Sequence, residues 1–561
     1  MIGSADERGL VDVGDNQVDA QVDGPKGSGG PSSFTVEGST RVFTRKKMLI
    51  ALLIPVAMSL IVVSSVNVAL ATIGTSLHAS DSDLQWVLTG YVLAFGILLV
   101  PSGRLGDLFG RSTFFMLGLA LFTLGSLWCG LATSPLSLNV ARIVQGIGAG
   151  VFNPQVLGII QQFFRGHTRA KAFALIGAVI SASVAIGPVI AGTLIHIVGS
   201  THGWRAAFLF NVPLGLIGLL FAAYVMPFEM ERKRGIARKA KKAAKKAAKA
   251  AAKQARKTRA KDQAAVDSRQ ASGAAVHQEP EESTQGAQAK KRKGVDIDPL
   301  GALLLATGVV GIMAPFILKE PWPIWLFLPA GSTFIVLWVV WERAYLKRGK
   351  EPMVDLALFQ IRSFAYGTGA GALMFLAAPT IFVVILLYLQ QELGQGALAA
   401  GAIGLPNALA SGIASLWAAR AVLTRGRRTI LWALSWILLG IVSTVGVVWA
   451  INLWQISHWW LLLTLGIAGI GQGAFGSCNQ TLSMQDVPPA SGGVSGAVKQ
   501  TAERVATAVG TAIVTGICFA VVAWAGWTWA TTVSYGVMAL FLLVALTVAA
   551  FDLRREKRSA K

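Results

Sequence analysis

The nine residues from Gly103 to Arg111, GRLGDLFGR, interrupt two long apolar runs with one acid, two arginines and three glycines. Glycines such as Gly103 and Gly106 remove side-chain bulk, so that a helix end can approach its neighbour closely. Asp107 can sit against the N-terminus of a helix, whose partial positive charge favours an anion. Such a contact can form in one conformation and break in another, which makes it a latch; the alternative is a glycine-rich turn whose arginines only set topology. The candidate latch residues are Gly103, Arg104, Gly106, Asp107, Gly110 and Arg111.

Two further patterns place unusual residues inside apolar runs. Arg142 is predicted to lie within a helix in lipid, where a charge is expensive and is expected to face a cavity or a partner. Gln145, one turn further in, favours a cavity over an arginine that extends to the helix end. In IGPVIAG, Gly187 and Pro188 are predicted to bend their helix by removing a backbone hydrogen bond, and Gly192 to allow close packing. A lipid-exposed kink with only a structural role remains the alternative.

Scattered polar and aromatic residues on otherwise apolar runs are candidates for a shared cavity, because polar groups facing lipid would be unsatisfied. Aromatic walls with few fixed charges suit bulky hydrophobic compounds, including cationic ones. The candidate cavity residues are Asn67, Trp86, Tyr91, Phe152, Asn153, Gln155, Phe375, Tyr388, Asn407, Gln472 and Asn479.

The elements that must position these residues are membrane helices. The 561-residue chain is 53% hydrophobic and only 14% charged, and apolar runs long enough to cross a bilayer recur about fourteen times between Met48 and Phe551. The fold class is therefore an all-α polytopic membrane protein of two six-helix bundles plus an extra helix pair. We divide the chain into a disordered tail (1–45), the first bundle (46–228), a basic linker (229–294), the extra pair (295–345), the second bundle with its preceding loop (346–552) and a basic tail (553–561).

The net charge of +22 lies almost wholly in alternate loops. This is the positive-inside pattern, and it predicts a multi-pass plasma-membrane protein with both termini in the cytoplasm. The alanine- and lysine-rich part of the linker, residues 238–261, is either a solvated helix or a helix that contacts anionic lipid headgroups. Nucleic-acid binding is not expected, because no aromatic residues interleave with the basic ones. We expect a monomer in the lipid bilayer.

The sequence does not predict an enzyme. Its six histidines are scattered, with no HExxH, nucleophile elbow or cluster of metal ligands. It also lacks a phosphate-cradling GxxxxGK loop, so the chain is not expected to use ATP. No cofactor and no metal are predicted.

The order of the short motifs resembles the major facilitator superfamily, and within it the fourteen-helix drug:proton antiporter group. The resemblance implies two pseudo-symmetric bundles, a central cavity, alternating access and a proton gradient as the driving force, and it implies that Arg142 belongs to a proton-relay motif. It covers nearly the whole chain outside the tail and linker. The motifs, in family order, are VNVAL, QWVLTGYVLAFG, GRLGDLFGR, ARIVQGIGAG, IGPVIAG, WRAAFLFNVPLG, DPLGALLLATG, EPMVDLALFQIRSF and VPPASGGVSG.

One departure bears on the coupling ion. The family usually presents an acid in the first helix, and this chain has Val62 there, which cannot carry a proton. Asp107, Glu342 and Glu503 are the remaining acids expected near membrane depth, and a salt bridge between Glu503 and its neighbour Arg504 is one expectation. The sequence thus favours export of hydrophobic or amphiphilic drugs by proton antiport. Alternatives are a dedicated exporter of one metabolite or lipid-like molecule with different coupling, and a transport-inactive sensor.

Overall fold

The computed structural model describes residues 33–35, 41–228, 298–318, 322–350, 352–395 and 402–559. The predicted linker helix and its lipid contact at residues 238–261 lie outside these residues, as does most of the N-terminal tail.

The described chain is nearly all helical, because long apolar runs satisfy every backbone polar group internally only as helices. Within the described residues, 12 helices are long and apolar enough to cross a membrane. The helices are α1 (Arg45–Leu77), α2 (Asp81–Phe109), α3 (Arg111–Leu131), α4 (Pro135–Phe163), α5 (Gly166–Val198), α6 (Ser200–Leu209), α7 (Asn211–Val225), α8 (Pro299–Leu318), α9 (Phe327–Lys347), α10 (Arg362–Leu387), α11 (Leu405–Arg425), α12 (Arg428–Trp454), α13 (Leu461–Ser483) and α14 (Gly492–Ser559).

Two hydrophobic cores divide the helices. Helices α1–α7 build most of the first core, in which Phe152 meets Phe115 and Phe122 edge to face, and α8, α9, α10 and α14 contribute residues such as Met313 and Val494. Helices α10–α14 build the second. The pair α8 and α9 packs tightly at Gly311 and Gly331, where any side chain would clash with the opposite backbone. Helix α8 also contacts α2 and α14, so the pair lies beside the seam between the two bundles.

Helix α14 is 68 residues long and contains one non-helical residue, Gly526, with φ 77° and ψ 177°. This conformation is costly for any residue with a Cβ, so glycine is required there. The position falls between the last two crossings that the sequence predicts.

The two predicted tails differ from expectation. Residues Ser33–Thr35 (β1) and Val42–Thr44 (β2) form an antiparallel hairpin in the tail that we expected to be disordered. Its buried Phe34 and Phe43 stack on each other, and Phe34 stacks on Phe163 at the end of α4. Burial of these rings offsets the entropy of ordering the strands. At the other end, α14 continues to Ser559 through most of the predicted tail.

Candidate functional site

The two bundles meet at the end of the molecule where α2 turns into α3 and where α14 begins, which we call the basic end. There the carboxylate of Asp107 accepts hydrogen bonds from the backbone N–H groups of Gly493, at 3.2 Å, and Val494, at 3.0 Å. These N–H groups belong to the first turn of α14, which has no intrahelical partners for them. An aspartate from the first bundle therefore caps a helix of the second, in the arrangement that the sequence suggested.

Arg111 fixes this carboxylate and adds its own bonds across the seam. Its guanidinium lies 2.6 Å from Asp107 Oδ1. It donates to the carbonyl of Pro489, at 2.6 Å, immediately before α14. It also donates to the carbonyl of Gly158, at 2.5 Å, within its own bundle. Both partners of the ion pair are almost fully buried, so solvent screens their attraction weakly.

The glycines of the same motif allow the close approach. A Cβ on Gly103 would lie 2.7 Å from the carbonyl oxygen of Gly493, so the two backbones touch across the seam. A Cβ on Gly106 would lie 1.9 Å from Gln155 Oε1, which places Gly106 against α4 of its own bundle. Gly110 joins α2 to α3 with φ 129°, a region open to glycine. Arg104 is half-buried one turn before Asp107. We define the latch as Gly103, Asp107 and Arg111 together with residues 489–494.

A second seam between the bundles was not foreseen from the sequence. Ser415 on α11 donates to the carbonyl of Ala174 on α5, at 2.8 Å, and the hydroxyls of Ser181 and Ser411 are 2.8 Å apart. Gly177 has no room for a side chain beside Ser415. In the sequence, only the small residues spaced along both helices could have indicated that α5 and α11 pack together.

A third contact uses an amide that was also missed. Gln161, buried at the end of α4, donates to the carbonyls of Met484 and Val487 in the loop before α14, at 2.7 and 3.0 Å. About two turns deeper than the latch, Gln500 on α14 donates to Asn153 on α4, at 3.3 Å. The seam at the basic end is thus closed by hydrogen bonds from several helices.

Arg142 is buried inside the first bundle without a carboxylate partner among the described residues. It donates to the carbonyl of Val87, at 2.8 Å, and to Gln145 Oε1, at 2.6 Å, and it lies 4.5 Å from the ring centroid of Tyr91. Gln145 in turn donates to Ser126, at 2.7 Å. The structure therefore brings Arg142, Gln145 and Tyr91 together, while the relay role stays a prediction.

A buried ion pair lies on α14 in the second bundle. Glu503 lies 3.0 Å from the ammonium of Lys499, which also donates to Gln480, at 2.6 Å. The expected salt bridge of Glu503 with Arg504 is therefore wrong, because residues four apart share a helix face and adjacent ones do not. Arg504 instead places its guanidinium 5.0 Å from the centroid of Phe95 on α2.

The IGPVIAG motif lies on α5 against α1. A Cβ on Gly187 would lie 2.0 Å from Ser64 Oγ, and Ser65 donates to the carbonyl of Gly187, at 2.8 Å. Pro188 lies inside α5, which continues to Val198. The expectation of close packing is wrong for Gly192, since a Cβ there would have nothing within 4 Å.

Several predicted cavity residues are used inside the bundles instead. Phe152 and Tyr388 lie in the two cores, less than 2% exposed. The amides of Gln155, Asn407 and Asn479 donate to backbone carbonyls of neighbouring helices in their own bundle, Ser102, Leu465 and Gly367 respectively. A nearby backbone carbonyl therefore accepts from each amide NH2 group, whereas the buried amide oxygens of Gln155 and Asn479 have no hydrogen-bond partner among the described residues.

The other candidates keep some access. Asn67 and Trp86 are exposed, Asn153 crosses the seam, and Phe375 and Gln472 are half-buried. Besides Glu503, two acids were expected near membrane depth, Asp107 and Glu342, and Asp107 belongs to the latch. The buried carboxylate of Glu342 accepts from Trp338 and from the backbone N–H groups of Met353 and Val354, which is a structural role.

Comparison with known proteins finds similarity to membrane transporters both in sequence and in fold. The family model described as Major Facilitator Superfamily matches residues 52–266. The chain is 28% identical over 332 residues to the "Probable actinorhodin transporter" of Streptomyces coelicolor, covering 58% of this chain and 47% of that one. It is 36% identical over 196 residues to the "Methylenomycin A resistance protein" of Bacillus subtilis, covering 35% and 41%. The chain thus spans about half the length, or less, of these curated relatives.

Solved structures extend the likeness to nearly the whole fold. The proton:xylose symporter XylE superposes with a TM-score of 0.54 at 13% sequence identity, covering 89% of this chain and 95% of that chain. At this identity the likeness concerns the fold alone.

Proposed function

We propose that this chain is a multi-pass membrane transporter of the major facilitator superfamily that exports hydrophobic or amphiphilic compounds by alternating access, driven by a proton gradient. The relatives named for actinorhodin transport and methylenomycin A resistance support an export role. Small-molecule export needs no cofactor and one polypeptide, and we propose a monomer.

The latch is the single observation that carries this proposal. Asp107 and Arg111 belong to one bundle and bond the start of α14 in the other. These bonds end on backbone groups at a helix terminus, so the bundles can separate there without unfolding either helix. A seam that closes at one end by breakable polar contacts, between two bundles that each have most of a hydrophobic core of their own, is what alternating access requires.

We propose fourteen crossings, as the sequence predicts. Gly526 divides α14 into two segments that are each long enough to span a bilayer core of about 30 Å. Helix α11, with 21 residues, is also long enough to cross the bilayer, although it is not one of the 12 helices that are apolar enough by their hydropathy. Helices α8 and α9 then form the extra pair between the bundles.

We propose that Glu503 carries the coupling proton. Val62 is buried where the family presents an acid. Of the acids considered, Asp107 and Glu342 accept hydrogen bonds from backbone N–H groups, whereas Glu503 pairs with a titratable side chain, Lys499, 3.0 Å away. Protonation would neutralise Glu503 and release Lys499, which changes the local charge and gives the two conformations different stabilities. This pair also weighs against a transport-inactive sensor, the alternative that the missing first-helix acid had favoured.

Dye uptake into inverted membrane vesicles tests the proposal. With an imposed pH gradient, we expect uptake of amphiphilic dyes that a protonophore abolishes. Glu503→Gln should lose the dependence on the gradient, because the neutral amide cannot bind the proton. The control Asp486→Asn changes an exposed acid outside the buried pair and should leave the dependence intact. Dye uptake that ignores the gradient in the unmodified protein would contradict proton coupling.

A further inference from the structure

The face of α14 that lies against the first bundle also carries an exposed arginine, Arg504. Gly493, Ala497, Gln500 and Arg504 recur at helical spacing, so they lie on one face. The first three contact the first bundle, at Gly103 and at Asn153. Arg504 follows on the same face and is exposed. With a rise of about 1.5 Å per residue, it lies about 16 Å from Gly493 along the helix, near the middle of a bilayer core.

Arg504 is directed towards the first bundle. Its guanidinium lies 5.0 Å from the centroid of Phe95, on α2. Phe95 stacks on Tyr91, with centroids 6.2 Å apart, and Arg142 lies over the other ring at 4.5 Å. An exposed guanidinium at this depth is too expensive in lipid, so its exposed surface faces a water-filled space between the bundles.

Arg504 forms no salt bridge within the described chain, although the neighbouring carboxylate of Glu503 attracts it electrostatically. The neighbouring carboxylate of Glu503 is paired with Lys499, and Arg142 is bonded to a carbonyl and an amide. Lys499 and Arg504 thus lie on either side of Glu503 in the sequence of α14, and Arg142 is a third cation beyond the stacked rings. Ring faces stabilise a guanidinium only weakly when it is exposed, by about 0.5–1 kcal/mol, and they leave its N–H groups available to an acceptor.

We propose that the cavity binds amphiphilic anions, with Arg504 as the residue that holds a carboxylate or sulfonate of the ligand. This inference rests on the proposed export function and specifies its substrate class. The planar guanidinium matches a carboxylate with two parallel hydrogen bonds. The ring of Phe95 packs beside the guanidinium and is itself nearly buried, so the body of the ligand would occupy the water-filled space that Arg504 faces. Cationic compounds, which the sequence alone favoured, would meet uncompensated positive charge here.

A matched pair of ligands tests the sign of the charge. The probes are 1-pyrenebutyrate and 1-pyrenebutylamine, which share a ring system and a linker and differ in charge. The full-length protein is placed in nanodiscs of zwitterionic phosphatidylcholine, and saturable energy transfer from its tryptophans to pyrene gives Kd for each probe. We expect the anion to bind about tenfold more tightly, as one charge-assisted hydrogen-bonded contact provides.

Variants of Arg504 then test whether this residue causes the preference for the anion. Arg504→Gln should abolish it, Arg504→Glu should reverse it, and Arg504→Lys should keep its sign and serve as the folding control. Arg554→Gln removes an exposed arginine at the far end of the same helix and should change nothing. Equal or tighter binding of the amine by the unmodified protein, no saturable binding of the anion, or a preference that survives Arg504→Glu would each overturn the inference.

Binding at equilibrium requires neither a gradient nor a conformational cycle. A clear anion preference without vesicle transport would therefore sink the proposed function and leave this site in place. Transport without an anion preference would sink the inference alone.

Discussion

At the scale of single residues, Asp107 does what its type and position indicated. The motif of Gly103, Gly106, Asp107 and Arg111 could be recognised as a candidate latch, because helix termini attract anions and small residues allow close approach. The partner on α14 could not be identified, since a backbone N–H carries no sequence signature. For the same reason the sequence could not reveal that the amide NH2 groups of Gln155 and Asn479 donate to carbonyls of their own bundle. A polar residue on an apolar helix indicates that a partner exists and says little about which one.

Asp107→Asn should lower the initial rate of dye uptake into inverted vesicles about tenfold. The amide loses both the charge that favours the α14 terminus and the ion pair with Arg111, so the conformation with a closed basic end loses stability relative to the other. The exposed Asp486, close to the latch in sequence, provides the control through Asp486→Asn. An unchanged rate in a folded Asp107→Asn protein would show that the latch does not affect the cycle.

At the scale of elements, the lengths of the apolar runs predicted which segments form helices, but they did not predict which helices pack against each other. The seam of α5 against α11 depends on serines and glycines that are common throughout the chain, and only the three-dimensional arrangement distinguishes the ones that touch. The N-terminal hairpin was missed because two phenylalanines in a polar segment are too few to predict a strand. Their burial depends on Phe163, more than a hundred residues away in sequence.

The α5 motif gives a prediction with an internal control. Gly187→Ala should lower the apparent Tm by several degrees, because the added methyl group clashes with Ser64 and with the backbone of α1. Gly192→Ala should leave Tm unchanged or raise it slightly, since the site is open and alanine favours helix. Thermal unfolding in detergent measures both. Equal losses in the two variants would contradict the packing described for α5.

At the scale of the whole molecule, the alternation of basic loops predicts that the basic end faces the cytoplasm. The three native cysteines are buried, so introduced cysteines label against a low background. A membrane-impermeant maleimide should label Trp454→Cys, 75% exposed at the opposite end of the molecule, in intact cells. It should label Arg425→Cys, at the basic end, only after permeabilisation. The reverse pattern would contradict the predicted orientation.

The central claim is that the two bundles move apart during transport, and a reversible cross-link between them tests it most directly. The hydroxyls of Ser181 and Ser411 are 2.8 Å apart across the seam of α5 and α11, so Ser181→Cys with Ser411→Cys should form a disulfide under mild oxidation. We predict that the oxidised double variant loses dye transport and that a reductant restores it, while each single variant transports before and after oxidation. Full cross-linking with undiminished transport would contradict the account, because the bundles would then not need to part at this seam.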